Sequence, residues 1–164
     1  MRECNSDANE FSLAQSCLVL GNLLRGQIMT DESILGKSRL VAFAATVDFT
    51  RARAFYEGVL GLSLAEDDSP FALVFNVNGT MLRVTNVGKH TPAPFTVLGW
   101  DVENIDATAQ KLADAGVPLL RFPGVNDVTP SAIWDAPSGA RVAWFHDPDC
   151  NVLSVTEFAG QATV

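Results

Sequence analysis

The sequence predicts an α+β domain made of two similar β-α-β-β-β modules. The first observation is internal similarity. At a shift of 55 positions Val47 matches Val102 and Gly61 matches Gly116, and at a shift of 71 positions the segment 71–85 matches 142–156. The second observation is a series of short apolar runs separated by turn residues, which is typical of strands. Two copies of one supersecondary unit explain both observations.

Module one, residues 38–90, begins with a β-like run at 39–47. Asp48 can cap the helix that follows, and Gly61 ends it. The helix presents one apolar face, made of Ala52, Phe55, Tyr56, Val59 and Leu60. Three strands are then expected, at 62–65, 71–77 and 80–87.

Module two, residues 91–160, is expected to repeat this order with a longer loop at 122–130. A strand near 95–102 precedes a helix near 104–115, which stops at Gly116. Further strands are predicted near 117–121, 131–136, 141–146 and 152–158, which is one strand more after the helix than in module one.

Two turns occupy matching places in the modules. Asn78-Gly79 is a typical hairpin turn, and Cys150 in the segment "DPDCN" stands where the first module has Gly79. If that place needs a left-handed backbone, a cysteine there costs about 1–2 kcal/mol relative to glycine.

Residues 1–37 look like an appendage, either poorly ordered or forming a short helix. Leu13, Cys17, Leu20 and Leu24 lie at helical spacing, although Met29 could equally be the natural start. The apolar stretch 16–26 is too short to span a membrane and lacks the basic residues of a signal peptide.

Composition limits the classes of function. The 164 residues include 48% apolar and 18% charged residues, which suits one globular domain. A net charge of −8 argues against nucleic-acid and anionic-membrane partners, because phosphates would be repelled. The three cysteines have no framework spacing, which favours a cytoplasmic location.

Three features together resemble the vicinal oxygen chelate superfamily of glyoxalases, bleomycin-resistance proteins and extradiol dioxygenases. They are the paired modules, the segment "FYEGVLGL" after the Asp-led helix start, and the closing "WFHDPDCNVLSVTEF". The resemblance covers residues 39–158, with Cys150 replacing the glycine of the closing pattern. It implies that the mixed sheets curl into two half-cups around a central cavity.

The resemblance also implies four metal-ligand positions, one on the first and last strand of each module. They fall at Val41 or Ala42, at Arg83, at Thr96 or Val97, and at Ser154. None of these is the His or Glu that would bind the ion, so we expect no metal and no other cofactor. His146 and Cys150 flank one turn, but the spacing favours two unrelated turn residues over a shallow metal site. Because aspartates flank Cys150, a catalytic thiolate is disfavoured.

Strand alternation selects the residues that would line the cavity: Met81, Arg83 and Thr85 on one strand, and Val152, Ser154 and Thr156 on another. Arg83 either binds a ligand anion or forms an internal ion pair or an interface contact. Trp100, Trp134 and Trp144 either pack in the core or form a wall for a planar ligand. The predicted ligand-binding residues are Arg83, Thr85, Trp100, Trp144, Ser154 and Thr156.

The favoured function is metal-independent binding of a small molecule by a homodimer. The alternative is a lyase, isomerase or dioxygenase of the same superfamily with displaced metal ligands. No catalytic residue is assigned, although Glu157 and Asp135 are acid–base candidates. A third hypothesis makes residues 9–25 the docking helix of a partner-binding or sensory module.

Overall fold

The structure is a computed structural model that describes residues 33–127 and 129–160. The chain divides into two compact units, Met1–Lys37 and Ser38–Val164. Within the first unit the described residues form a turn in which Gly36 N donates to Ser33 Oγ at 2.7 Å. The predicted helix around Leu13–Leu24 lies outside the described residues.

The second unit contains two four-stranded mixed sheets, which confirms the predicted α+β class. The strands of the first sheet are β1 Val41–Thr46, β2 Ser63–Asp68, β3 Ala72–Val77 and β4 Thr80–Asn86. Those of the second are β5 Thr96–Asp101, β6 Trp134–Asp135, β7 Arg141–His146 and β8 Val152–Glu157. The spatial orders are β1-β4-β3-β2 and β5-β8-β7-β6, with β1 parallel to β4, β5 parallel to β8 and the other pairs antiparallel.

The two helices begin and end where the sequence predicts. Helix α1 spans Phe49–Arg53 and continues as a π-helical stretch over Ala54–Val59, and helix α2 spans Ile105–Asp114. Asp48 Oδ1 accepts from the backbone N–H groups of Thr50 and Arg51 at 2.9 and 3.1 Å, as an N-cap does.

The predicted strand at 117–121 is wrong, and the strand at 131–136 shrinks to β6. Leu119 forms only an isolated bridge to Phe145. The reason is the buried side chain of Asn126, whose Nδ2 donates to Leu120 O at 2.9 Å and to Ala132 O at 2.6 Å. These carbonyl groups therefore bond to the loop instead of a strand ladder.

Each sheet has a helix face, which packs on the helices, and an open face on its other side. Buried residues of both helix faces and both helices belong to one hydrophobic cluster of the described chain. On β4, Leu82 and Val84 are buried in that cluster while Arg83 and Thr85 lie on the open face and are half-buried, as the alternation predicts. On β8 both faces are covered, because Ser154 on the open face is only 6% exposed.

The β7–β8 turn, residues 147–151, is organised by the buried carboxylate of Asp147. Its Oδ1 accepts from the backbone N–H groups of Asp149 at 2.9 Å and Asn151 at 2.8 Å. Its Oδ2 accepts from Asn151 Nδ2 at 2.6 Å and from Tyr56 OH of module one at 2.8 Å. Burial, followed by the charge of Asp147, raises the pKa of Tyr56 far above its usual range, so the phenol stays protonated and donates.

Other side chains of this turn also reach module one. Asp149 Oδ2 accepts from Thr46 Oγ1 at 2.6 Å, and Asp149 Oδ1 accepts from Arg51 Nη2 at 3.0 Å. Asn151 Nδ2 donates to Ala45 O at 2.8 Å. The turn therefore fastens module two to the end of β1 and to the first helix.

Cys150 adopts the left-handed conformation that its place in the turn predicts. Its φ is 64°, compared with 87° for Gly79 in the matching turn. The cysteine is exposed, while its neighbours Asp149 and Asn151 are buried. The strain is therefore local to the backbone of Cys150.

Replacing this residue by glycine tests the strain. We expect Cys150→Gly to raise the free energy of unfolding by about 1 kcal/mol, because glycine adopts a positive φ without the clash of a Cβ. The measurement is urea unfolding, with Cys150→Ser as the matched control because it removes the thiol and keeps the Cβ. Equal stability of the two variants would contradict the prediction.

Candidate functional site

The four positions that would hold a metal carry no suitable set of donors. Val41 pairs with Met81, Arg83 with Phe43, and Ser154 with Gly99 in the sheet registers. Between residues 33 and 160, leaving aside position 128, no group of three or more His, Cys, Asp or Glu side chains could hold a metal ion. A hydrophobic, a cationic and a hydroxyl side chain do not match the nitrogen and carboxylate donors that divalent ions require.

Arg83 lies on the open face of the first sheet and forms an ion pair within the chain. Its Nη2 donates to Asp68 Oδ2 at 3.0 Å. The side chains of Arg83 and Asp68 are 30% and 42% exposed, so solvent screens this pair. Thr85 lies two residues further along the same face, beside Ala72. The internal ion pair is thus present, and the guanidinium also remains accessible.

A cavity of about 340 Å³ lies on the open face of the first sheet. Its lining includes Val41, Val74, Asn76 and Met81, with Arg39 also contributing. Val74 is the register neighbour of Arg83 on β3. A largely apolar surface with arginines beside it is suited to an organic molecule that carries negative charge.

The open face of the second sheet carries a cluster of three aromatic residues, called here the aromatic wall: Phe122, Trp134 and Trp144. The ring centroids of Trp134 and Trp144 are 6.0 Å apart, and those of Phe122 and Trp144 are 5.4 Å apart in an edge-to-face arrangement. Trp144 Nε1 donates to Thr96 Oγ1 at 3.0 Å, which fixes the indole ring. All three rings are partly exposed.

Trp100 lies on the opposite side of the second sheet from the aromatic wall. A β-bulge between Thr96 and Leu98 shifts the register of β5, so Trp100 pairs with Val155 on the helix face. There it lines a separate cavity of about 280 Å³ with residues of both modules, among them Leu60, Leu62 and Leu112. The structure therefore does not bring Trp100 together with Trp144.

Ser154 and Thr156 lie on the open face of β8, next to the aromatic wall. Ser154 pairs with Trp144, and Thr156 pairs with Val142. A Cβ built on Gly99 would be 2.8 Å from Ser154 Oγ, so the glycine makes room for this hydroxyl. Thr156 is half-buried and is the more accessible of the two hydroxyls.

The acid–base candidates Glu157 and Asp135 are both connected to helix α2, Glu157 directly and Asp135 through Arg141. Glu157 Oε2 accepts from Ile105 N at 2.8 Å, at the first residue of α2. Arg141 bonds Asp135 at 3.3 Å and Asp106 of α2 at 2.7 and 3.0 Å, and this pairing holds the pKa of Asp106 below its usual range. Both candidates thus have structural partners that account for their positions.

A family model for the Glyoxalase/Bleomycin resistance protein/Dioxygenase superfamily matches residues 39–155, which is well over half of the chain. The chain belongs to this superfamily. No curated protein matches the sequence significantly.

Solved structures with the superfamily fold resemble the chain. A putative glyoxalase family protein from Bacillus anthracis has 16% identity and a TM-score of 0.59, covering 74% of this chain and 95% of its own. A lactoylglutathione lyase from Agrobacterium tumefaciens has 17% identity and a TM-score of 0.59, with coverages of 74% and 93%. TioX from Micromonospora sp. ML1 has 18% identity and a TM-score of 0.55, with coverages of 73% and 98%. At such identities the likeness shows the glyoxalase fold alone.

The glyoxalase-fold domain thus combines an accessible arginine on one open face with the aromatic wall on the other. On these open faces Arg83, Trp144, Ser154 and Thr156 are among the residues predicted from the sequence, whereas Phe122 is not. The sequence feature that could have indicated Phe122 is its place at the start of the long loop that is specific to module two. Among the described helices, none has the length and apolarity needed to cross a membrane.

Comparison of the Arg83–Asp68 and Arg51–Asp149 ion pairs, both with a nitrogen–oxygen distance of 3.0 Å, tests whether Arg83 is needed for stability. We expect Arg83→Met to change the free energy of unfolding by less than about 1 kcal/mol, because both side chains are partly exposed and solvent screens their charges. Arg51→Met should cost about 1–3 kcal/mol, because it leaves the carboxylate of Asp149, which is 4% exposed, with one partner fewer. Chemical unfolding measures both variants, and a larger loss for Arg83→Met would contradict this difference.

Proposed function

We propose that this superfamily member is a small-molecule binding protein that holds a planar organic ligand without a metal ion. The observation that supports this proposal most is the aromatic wall on the open face of the second sheet. The protein would act in the cytoplasm, as the exposed thiol of Cys150 favours. Its negative net charge disfavours nucleic acid as the ligand.

The aromatic wall has the features of a preorganised stacking surface. The indole of Trp144 is fixed at its edge by Thr96 and supported by Phe122 and Trp134, so little side-chain freedom is lost when a ligand stacks on it. Stacking between planar rings contributes about 0.5–1.5 kcal/mol per pair beyond the burial of apolar area. Thr156, on the same face, would add a hydrogen bond.

Metal independence is proposed from the chemistry of the four ligand positions. Val41 and Val97 have no donor atoms, and the hydroxyls of Thr96 and Ser154 are poor ligands for the ions that imidazole and carboxylate bind. Arg83 would place a positive charge next to any cation in such a site. In this proposal Arg83 holds the anionic group of a ligand instead.

A homodimer is part of the proposal. Three large apolar side chains on the open face of the first sheet remain exposed in the single chain: Val41 at 38%, Phe43 at 60% and Met81 at 44%. A contiguous exposed apolar surface of this kind is typical of a protein interface or a ligand site. A second copy of the chain would close over this face and enclose the cavity that Val41 and Met81 line.

The proposal predicts different effects for two tryptophan substitutions. The probe is the aromatic anion 8-anilinonaphthalene-1-sulfonate, titrated by fluorescence into the purified protein. Trp144→Leu should weaken binding about tenfold, which corresponds to about 1.4 kcal/mol, because the stacking surface is lost.

The matched control is Trp100→Leu, which changes the same residue type on the helix face. It should leave the affinity within about twofold if binding occurs at the aromatic wall. Undiminished binding by Trp144→Leu would contradict the proposed site, and so would a wild-type protein that shows no saturable binding. Circular dichroism checks that both variants remain folded.

A further inference from the structure

We propose that Asp68 competes with the bound ligand for Arg83, so the ligand is an organic anion and Asp68 limits its affinity. This inference rests on the proposed function and adds to it the chemical class of the ligand and a residue that sets affinity. The side chains of Arg83 and Asp68 meet on the open face of the first sheet.

Arg83 and Asp68 lie on strands that are separated by β3. Arg83 on β4 is the register neighbour of Val74, and Asp68, the last residue of β2, is the register neighbour of Ala72. Val74 and Ala72 are 3% and 1% exposed. The ion pair therefore extends across β3 and covers its two small apolar side chains.

The ion pair with Asp68 uses few of the hydrogen-bond donors of the Arg83 guanidinium. Among the hydrogen bonds of the described residues, Arg83 makes one, from Nη2 to Asp68 Oδ2. A guanidinium carries five N–H donors and binds carboxylates most strongly in the bidentate mode. An incoming anion can thus take the remaining donors or displace Asp68 from Nη2.

The solvent exposure of the two side chains determines how easily a ligand displaces Asp68 from Arg83. With 30% and 42% of the two side chains exposed, solvent already screens this pair. The Arg51–Asp149 pair has the same length, but its carboxylate is buried and also accepts from Thr46. Of these two arginines, Arg83 is therefore the one that a ligand can recruit without disturbing the join between the modules.

The surroundings of Arg83 suit an organic anion. The cavity of about 340 Å³ beside it is lined mostly by apolar side chains, together with Asn76 and Arg39. Arg83 and Arg39 thus lie at this face, which also carries the carboxylates of Asp68 and of Glu66, the register neighbour of Val74 on β2. A ligand with one anionic group and an otherwise apolar structure would contact Arg83 through the anionic group and the cavity lining through its apolar atoms.

The test uses two fluorescent probes that differ by one charged group. They are 8-anilinonaphthalene-1-sulfonate, an anion, and N-phenyl-1-naphthylamine, its neutral counterpart without the sulfonate. We expect Asp68→Asn to tighten binding of the anion about fivefold, and Arg83→Met to weaken it about tenfold. The neutral probe should respond to neither substitution.

The controls isolate the competition between Asp68 and the anion. Asp67→Asn removes the neighbouring carboxylate, which lies 3.7 Å from Arg53 instead, and should leave both probes unaffected. Once Arg83 is replaced by Met, Asp68→Asn should have no further effect on the anion. Added sodium chloride should reduce the gain caused by Asp68→Asn.

The outcomes separate this inference from the function on which it rests. If Asp68→Asn leaves the anion's affinity unchanged or lowers it, or if the neutral probe gains equally, Asp68 does not compete. Should Trp144→Leu still weaken binding in that case, the aromatic wall stands and only this inference fails. If neither probe binds the wild-type protein, both proposals fail.

Discussion

The buried carboxylate of Asp147 is the group on which the two-module structure depends. It accepts four hydrogen bonds, three from within its own turn and one from Tyr56 of the other module. A carboxylate withdrawn from water is tolerated only when it is satisfied in this way, so the turn and the first helix must meet. Asp149 and Asn151 add contacts to the same region of module one.

The organisation of this turn explains why its most recognisable residues say little about activity. Asp147, Asp149 and Asn151 are buried and bond across the modules, while Cys150 between them is exposed. The segment "DPDCN" thus specifies how the modules join. It carries part of the resemblance to the superfamily, but it identifies no ligand.

Local rules were sufficient for most of the fold. The capping aspartate, the glycines after each helix and the left-handed turn residues all act within a few positions of the chain, and Asp48, Gly61 and Cys150 behave as predicted. The error at 117–121 arose because Asn126, a single buried amide, bonds the carbonyl group of Leu120 inside the predicted strand and that of Ala132 beyond it. No periodic pattern signals such a contact.

The candidate site was less predictable for two physical reasons. First, strand alternation assumes a regular ladder, and the bulge in β5 moves Trp100 to the face opposite Trp144. Second, partners such as Asp68 for Arg83 depend on how the strands are ordered in the sheet, which one sequence does not reveal. Tyr56 was expected only to pack, and its hydrogen bond to Asp147 spans 91 positions of the chain.

The proposed function is that this glyoxalase fold binds its ligand without a metal ion, because the four positions that the resemblance assigns to metal ligands carry Val41 or Ala42, Arg83, Thr96 or Val97, and Ser154. The most direct measurement is the metal content per chain. The protein is equilibrated with Ni²⁺, Zn²⁺, Mn²⁺ or Fe²⁺, and free metal is removed by gel filtration. The account predicts that far less than one ion per chain remains. Stoichiometric metal that persists after replacement of both His146 and Cys150 would contradict it.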